Sequence, residues 1–345
     1  MKLKKLAALA LAGVLCLTTF VGCGVSADET AATLGDQQVS AGVVNFVCKY
    51  QKAGIDDMYI SWFGEDVWEQ DLYGYGTTLE EDLKDSVMIS LHDLYTLKAH
   101  MADYNVELTE EDEAAIKEAA QAFIAANSEE AIKEFGATEE IVIEVLTLYT
   151  IQAKMYDAIT VDTDRNVSDE EANMRGITLV EIGIAGENDE NGNYTKYTEA
   201  QVAALKATAE KIVTEMSGVG LEDAAKNNGY TATDTAYNKN DDTLDMTLVE
   251  ALNAMKVGES SKVIETESAL YIARIDEDTD AKATEDNRAA IITERENKVY
   301  SDKLDEWQKE DGWTVNDAVV EKIEFHNILT QTTESTEDVE TTEGK

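Results

Sequence analysis

Met255-Lys256-Val257-Gly258-Glu259-Ser260-Ser261-Lys262-Val263 is followed, six residues on, by Ala269-Leu270-Tyr271-Ile272-Ala273-Arg274. The first stretch closes an apolar-periodic segment, Leu244 to Met255, that reads as a helix, and it turns at Gly258. Beyond the turn, Val263 to Thr266 and Leu270 to Ile275 read as two short strands. Working backward, Tyr230 to Tyr237 alternates as a strand, and Gly220-Leu221-Glu222-Asp223-Ala224-Ala225 opens a short helix. Thr198-Glu199-Ala200-Gln201 is a capping box before a helix to Met216. Val180, Ile182 and Ile184 alternate as a further strand, with Ile177 and Leu179 leading in on its other face. The order from Arg175 to Ile275 is β-α-α-β-α-β-β, an α+β unit and not a parallel βαβ sheet.

Helical patterns flank this unit. Ser40 reads as an N-cap before Val43, Phe46, Val47 and Tyr50, with Gly54 as the end of that helix. Residues 55–76 read as irregular and aromatic, with Trp62, Phe63, Trp68, Tyr73 and Tyr75. Thr77-Thr78-Leu79-Glu80-Glu81, Thr109, Thr138 and Ser168 mark further helix starts. A charged helix from Ala283 to Lys309 should bury Ile291, Ile292, Val299, Leu304 and Trp307. The expected organisation is a leader over 1–22, a tether over 23–34, a helical region over 35–172 and an α+β domain over 173–279. A C-terminal helix and short strand over 280–326 should pack on the N-terminal lobe, and 327–345 should be a disordered acidic tail.

The leader has Lys2, Lys4 and Lys5 ahead of an uncharged apolar run from Leu6 to Phe20, too short to span a bilayer comfortably. It ends in Phe20-Val21-Gly22-Cys23, which resembles the bacterial lipobox, where the Cys thiol receives a diacylglycerol and cleavage falls just before it. Lipidation at Cys23 implies anchoring on the outer face of the bacterial cytoplasmic membrane. Cys16 leaves with the leader, so Cys48 stands alone and cannot form an internal disulfide. The net charge of −43 repels nucleic acid and anionic headgroups, so attachment must come from the lipid. That charge serves solubility in one reading and a preference for cationic clients in a sharper one. The chain has no proline, so no prolyl bond slows its own folding.

The segment from Arg175 to Asp276 resembles the parvulin family of peptidyl-prolyl isomerases. Met255 to Val263 is similar to the family's Leu-Lys-Pro-Gly-Glu-Val-Ser-x-Val, and Ala269 to Arg274 to its Gly-Tyr-His-Ile-Ile-Lys strand. Gly220 to Ala225 is similar to its Gly-x-Phe-Glu-x-Leu-Ala helix, and Arg175 to Val180 falls on its Arg-Ala-Ser-His-Ile-Leu-Val strand. With the flanking helices, the whole resembles the PrsA-type and SurA-type foldases. That implies an α+β fold: an all-helical chaperone-like lobe, joined by a long C-terminal helix, with a parvulin-like domain inserted. Both family histidines are missing, with Thr178 at the first position and Tyr271 at the second. The family's Gly-Gly-Asp-Leu-Gly turn gives way to Asn238-Lys239-Asn240-Asp241-Asp242, and Leu248 and Met255 remain as equivalents of its apolar floor. The resemblance therefore implies weak or absent isomerase activity at Thr178 and Tyr271, while a chaperone role needs only an apolar cradle.

Other sites read as structural. His92 and His100 lie eight apart, not at a zinc-chelating spacing, and His326 sits near the tail. Glu187 to Gly192 only partly matches a calcium loop. No metal or cofactor is expected, and no P-loop, nucleophile elbow or metalloprotease helix occurs. Trp62 and Trp68, with Leu248 and Met255, are the candidate peptide contacts, although packing is the commoner role for such aromatics. The leading expectation is a lipid-anchored extracytoplasmic foldase binding unfolded, newly secreted polypeptides. A prolyl isomerase using Thr178 and Tyr271 is the alternative, and a solute-binding lipoprotein comes last because repeated βαβ units are missing.

Overall fold

The structure, a computed structural model, describes residues 25–188, 194–241 and 243–325, with the backbone of 14–17 and 329–332. Its elements begin with β1 (Val14–Leu17), β2 (Thr30–Leu34), β3 (Gln37–Ser40), α1 (Ala41–Phe63), α2 (Leu79–Ala99), α3 (Glu110–Ala126), α4 (Glu129–Phe135) and α5 (Glu139–Ile159). There follow α6 (Asp169–Ala172), β4 (Met174–Gly183), β5 (Gly186–Asn188), β6 (Tyr194–Lys196), α7 (Glu199–Val219), α8 (Leu221–Asn227), β7 (Ala232–Asn238) and α9 (Met246–Ala254). The chain ends with β8 (Ile264–Glu265), β9 (Ala269–Glu277), α10 (Ala281–Gln308), β10 (Trp313–Val315), α11 (Asp317–Val320) and β11 (Leu329–Thr332). It divides into two compact units, 1–162 with 298–345, and 163–297.

The first unit is built from capped helices. Val43 N donates to Ser40 Oγ at the start of α1, and Thr78–Glu81 and Thr109–Asp112 form complete capping boxes. Each such cap supplies an oxygen to a helix-end N–H that would otherwise lack a partner, worth about 1 kcal/mol. α1 does not stop at Gly54 but continues to Phe63, where Gly64 at φ +98° ends it. Packing outweighs the roughly 1 kcal/mol cost of a helical glycine. Lys52, Ala53 and Asp56 around it are all buried, and the Lys52 ammonium pairs with the Asp56 carboxylate one turn on. The lobe is not all-helical, since β10, β2 and β3 form a three-stranded antiparallel sheet whose Ala31, Ala32, Leu34 and Val39 join the helical core. The expected buried face of α10 is corrected too: Leu304 is buried, Ile291, Ile292 and Trp307 are half-buried, and Val299 is exposed.

The ends hold one surprise. β1, in the leader expected to form no folded element, pairs antiparallel with β11, in the tail expected to be structureless. Leu329-Thr330-Gln331-Thr332 is uncharged and half β-branched, a composition that suits a strand better than its acidic surroundings do. Cys23 and His326 lie outside the described residues, as do 189–193 of the loop weighed for calcium.

The second unit is a four-stranded antiparallel sheet, order β7-β4-β9-β8, with helices on both faces. Val180, Ile182, Leu270 and Ile272 point to one face, where Ile212 of α7 and Leu221 and Ala224 of α8 cover them. Ile177, Ala273 and Ile275 point to the other, under Leu248 and Leu252 of α9. The decisive turn sits at the edge of this second layer. Glu259 N donates to Lys256 O at 2.9 Å, and Gly258 takes φ +81°, the left-handed value a type II turn demands of its third residue. Gly258 N to Ile275 O (2.7 Å) and Ser261 N to Ala273 O (2.7 Å) then fasten the stretch along β9.

Candidate functional site

The two positions expected to form an isomerase site do not meet. In the β4–β9 ladder Thr178 lies opposite Arg274, and Tyr271 lies opposite Glu181. Directly paired residues share a face and neighbours in sequence alternate, so Thr178 points toward α7 and α8 while Tyr271 points toward α9. The expectation of a shared hollow is therefore corrected: the sheet itself separates the two hydroxyls.

Each position has its own surroundings. Thr178 is fully buried, its hydroxyl 3.0 Å from Asp234 Oδ1 and 2.7 Å from Asp276 Oδ2, and it accepts a 2.8 Å hydrogen bond from Arg274 Nη2. Arg274 reaches both Glu222 oxygens, at 3.0 and 2.8 Å, and Asp276 Oδ1 at 2.5 Å. This forked pairing holds the Glu222 carboxyl below its usual range, and Glu222 and Asp276 push the guanidinium up. One hydroxyl proton shared between two carboxylates leaves no donor for a substrate carbonyl. Tyr271 is half-buried; burial first, then the negative charge of Glu181 and Asp245, raises its phenol, which stays neutral. Beneath it Leu248 is 1 % exposed and belongs to the core, so it is corrected as a peptide contact. Met255 is half-buried against the same cluster, and its carbonyl accepts from Arg175 Nη2 at 3.0 Å.

The two tryptophans separate as well. Trp68 is 4 % exposed, edge-on to Phe325 at 5.3 Å, with Nε1 donating to Asp56 Oδ1 at 2.7 Å. It is a core residue, and that correction follows from its burial. Trp62 is 66 % exposed near the end of α1.

A hollow of about 500 Å³ lies within the first unit, among α1, α3, α5 and the C-terminal part of α10. Six aromatic rings line it: Phe46, Tyr50, Phe123, Tyr149, Tyr156 and Tyr300. Not one of its lining residues carries a charge, on a chain of net charge −43. Burial raises the phenols of Tyr50 and Tyr149, and pushes Tyr300 up to about 12, so they too stay neutral. Ala115, Ala119 and Ala153 provide the space. Ala115 and Ala119 are one helical turn apart on α3, a stripe of small residues facing aromatics that sequence reading passed over. The volume falls within the span of ligand pockets, about 300–1,000 Å³.

Among the described residues no helix is long and apolar enough to cross a membrane, and no group of three or more His, Cys, Asp or Glu is placed to hold a metal ion. No family model matches the chain, and no curated protein matches it. In structure the chain is similar to the foldase protein PrsA from Lactococcus lactis, at 12% identity and a TM-score of 0.35, covering 86% of this chain and 97% of that one. It is similar to the peptidylprolyl isomerase PrsA from Bacillus cereus, at 10% identity and a TM-score of 0.32, covering 86% and 98% of the two chains. A third likeness, at 11% identity and a TM-score of 0.29 over 84% of this chain and 99% of the other, is to a SurA-like chaperone structure from Campylobacter jejuni.

Proposed function

We propose that this chain is a lipid-anchored extracytoplasmic chaperone that holds apolar segments of newly exported, unfolded polypeptides in the aromatic hollow of its first unit. One observation carries the reading: an uncharged, ring-lined hollow in a chain so rich in carboxylates. Each apolar side chain that leaves water for such a site gains about 1.5–3 kcal/mol, without sequence specificity. The lipobox-like Phe20-Val21-Gly22-Cys23 supports anchoring through Cys23 on the outer face of the cytoplasmic membrane. Cleavage before Cys23 would remove β1, so in this reading its ladder with β11 belongs to the precursor alone. Thr178, held among Asp234, Asp276 and Arg274, supports a foldase without prolyl isomerase chemistry at that position.

The test fills the hollow. Ala119→Trp should abolish suppression of a denatured client's aggregation at stoichiometric amounts while leaving circular dichroism and melting temperature close to wild type. Full suppression by this variant would remove the hollow from the mechanism. Failure of the wild-type protein to suppress aggregation would end the chaperone reading.

A further inference from the structure

Beyond the hollow, the first unit carries a second apolar surface, and its charge says what it fits. Trp62, Phe63, Tyr59, Tyr73 and Tyr75 form a continuous run of rings. Trp62 meets Phe63 at 6.3 Å, Phe63 meets Tyr59 at 6.0 Å, and Tyr73 meets Tyr75 at 6.1 Å, with 3.4 Å between the hydroxyls of Tyr59 and Tyr73. Trp62 is 66 % and Tyr75 82 % exposed. The run is held in place from beneath: Tyr59 stacks on the buried Trp68 at 6.3 Å. Asp71 accepts hydrogen bonds from Gly74 N, Tyr75 N and Gly76 N at 2.7, 3.1 and 2.9 Å, which fixes the loop bearing Tyr73 and Tyr75. Exposed rings in such numbers on one surface mark an interaction site.

The surroundings select the partner. From Ala53 to Leu83 the chain has nine carboxylates and no Lys, Arg or His. Of these, Asp57, Glu65, Asp66, Glu69, Asp71 and Glu81 are exposed. The flanking cations contribute nothing to the surface, because Lys52 and Lys84 are buried and paired with Asp56 and Glu80. Ring faces amid uncompensated negative charge attract guanidinium and ammonium groups and repel anionic lipid. We infer that this aromatic rim docks basic, arginine- or lysine-bearing segments of unfolded polypeptides, with the cations seated on Trp62 and Tyr75. The rim shares no residue with the hollow, so the two sites fail separately.

The test titrates full-length protein lacking only the leader with three fluorescent 12-residue peptides. They are Gly-Ser peptides with Arg, Gln or Glu at every third position, without the apolar side chains the hollow would hold, and binding is read by anisotropy. The Arg peptide should bind at least tenfold tighter than the Glu peptide, with Gln between. The double variant Trp62→Ala/Tyr75→Ala should weaken the Arg peptide roughly fivefold or more while Ala119→Trp leaves it unchanged. The double variant keeps the net charge, so attraction by the overall field alone predicts no loss, and that result would overturn the proposal. Equal binding of the Arg and Glu peptides would overturn it too, as would rim-dependent binding to phosphatidylglycerol vesicles in place of the Arg peptide.

Discussion

At the scale of single residues, burial separates side chains that composition makes alike. Trp62 and Trp68 stand six apart in one aromatic stretch, yet only Trp68 enters the core, with Lys52 5.2 Å above its ring and Phe325 against its edge. Trp68→Ala should cost about 3–5 kcal/mol in urea unfolding, through the cavity left and the lost hydrogen bond to Asp56. Trp62→Ala should stay within about 0.5 kcal/mol; comparable costs for both would contradict the assignment. Cys48 offers a second residue-level check. Burial pushes its thiol up to about 12, so the folded protein keeps it neutral where an unfolded chain ionises it. Its contribution to stability is complete below about pH 8.5 and declines as pH rises from there toward about 12. A maleimide at pH 8 should therefore label Cys48 only after denaturation; rapid labelling of the native protein would show the thiol accessible.

Elements were legible where their signals are local and obscure where they depend on register. Thr78, Thr109, Thr138, Ser168 and Thr198 all accept the N-terminal hydrogen bond that their types and spacing announce. Gly54 misled because packing across α1 is invisible in a window of a few residues. Thr178 misled for a different reason. A motif match places a residue on a strand without showing what stands opposite it, and a single-residue slip reverses its face; the unbroken register from Thr178–Arg274 to Glu181–Tyr271 sets the two positions on opposite faces. His92 and His100, useless as a chelating pair, turn out to serve packing. They stack on Trp313 at 4.6 Å and Trp307 at 4.1 Å, fastening the returning C-terminal segment to α2. Asp311 completes that contact, taking hydrogen bonds from Thr96 Oγ1 (3.1 Å) and Trp313 N (3.0 Å) and lying 2.6 Å from His92 Nε2. Asp311→Ala should destabilise the first unit by about 1–3 kcal/mol and speed amide exchange in β2 and β10. Exchange unchanged in those strands would mean that the segment is held elsewhere.

At the scale of the whole molecule, charge decides how the fold responds to its solvent. Against 71 carboxylates the chain sets 28 lysines and arginines, so most acidic groups have no cation to meet. The pairs that do form are mainly exposed, such as Lys322 with Glu29 and Lys282 with Asp286, and solvent screening leaves each of them little weight. Screening weakens both the pairs and the repulsion, but repulsion acts over the entire surface and is concentrated by folding, so its relief should prevail. Between about 0.01 M and 1 M sodium chloride the screening length falls from about 30 Å to 3 Å. The melting temperature should therefore rise, by roughly 2–4 °C for each kcal/mol of repulsion relieved. A fall would mean that the ion pairs outweigh the field. The same salt should loosen basic peptides from the rim around Trp62 while leaving uncharged apolar ones in the hollow, because only the first contact draws on long-range charge.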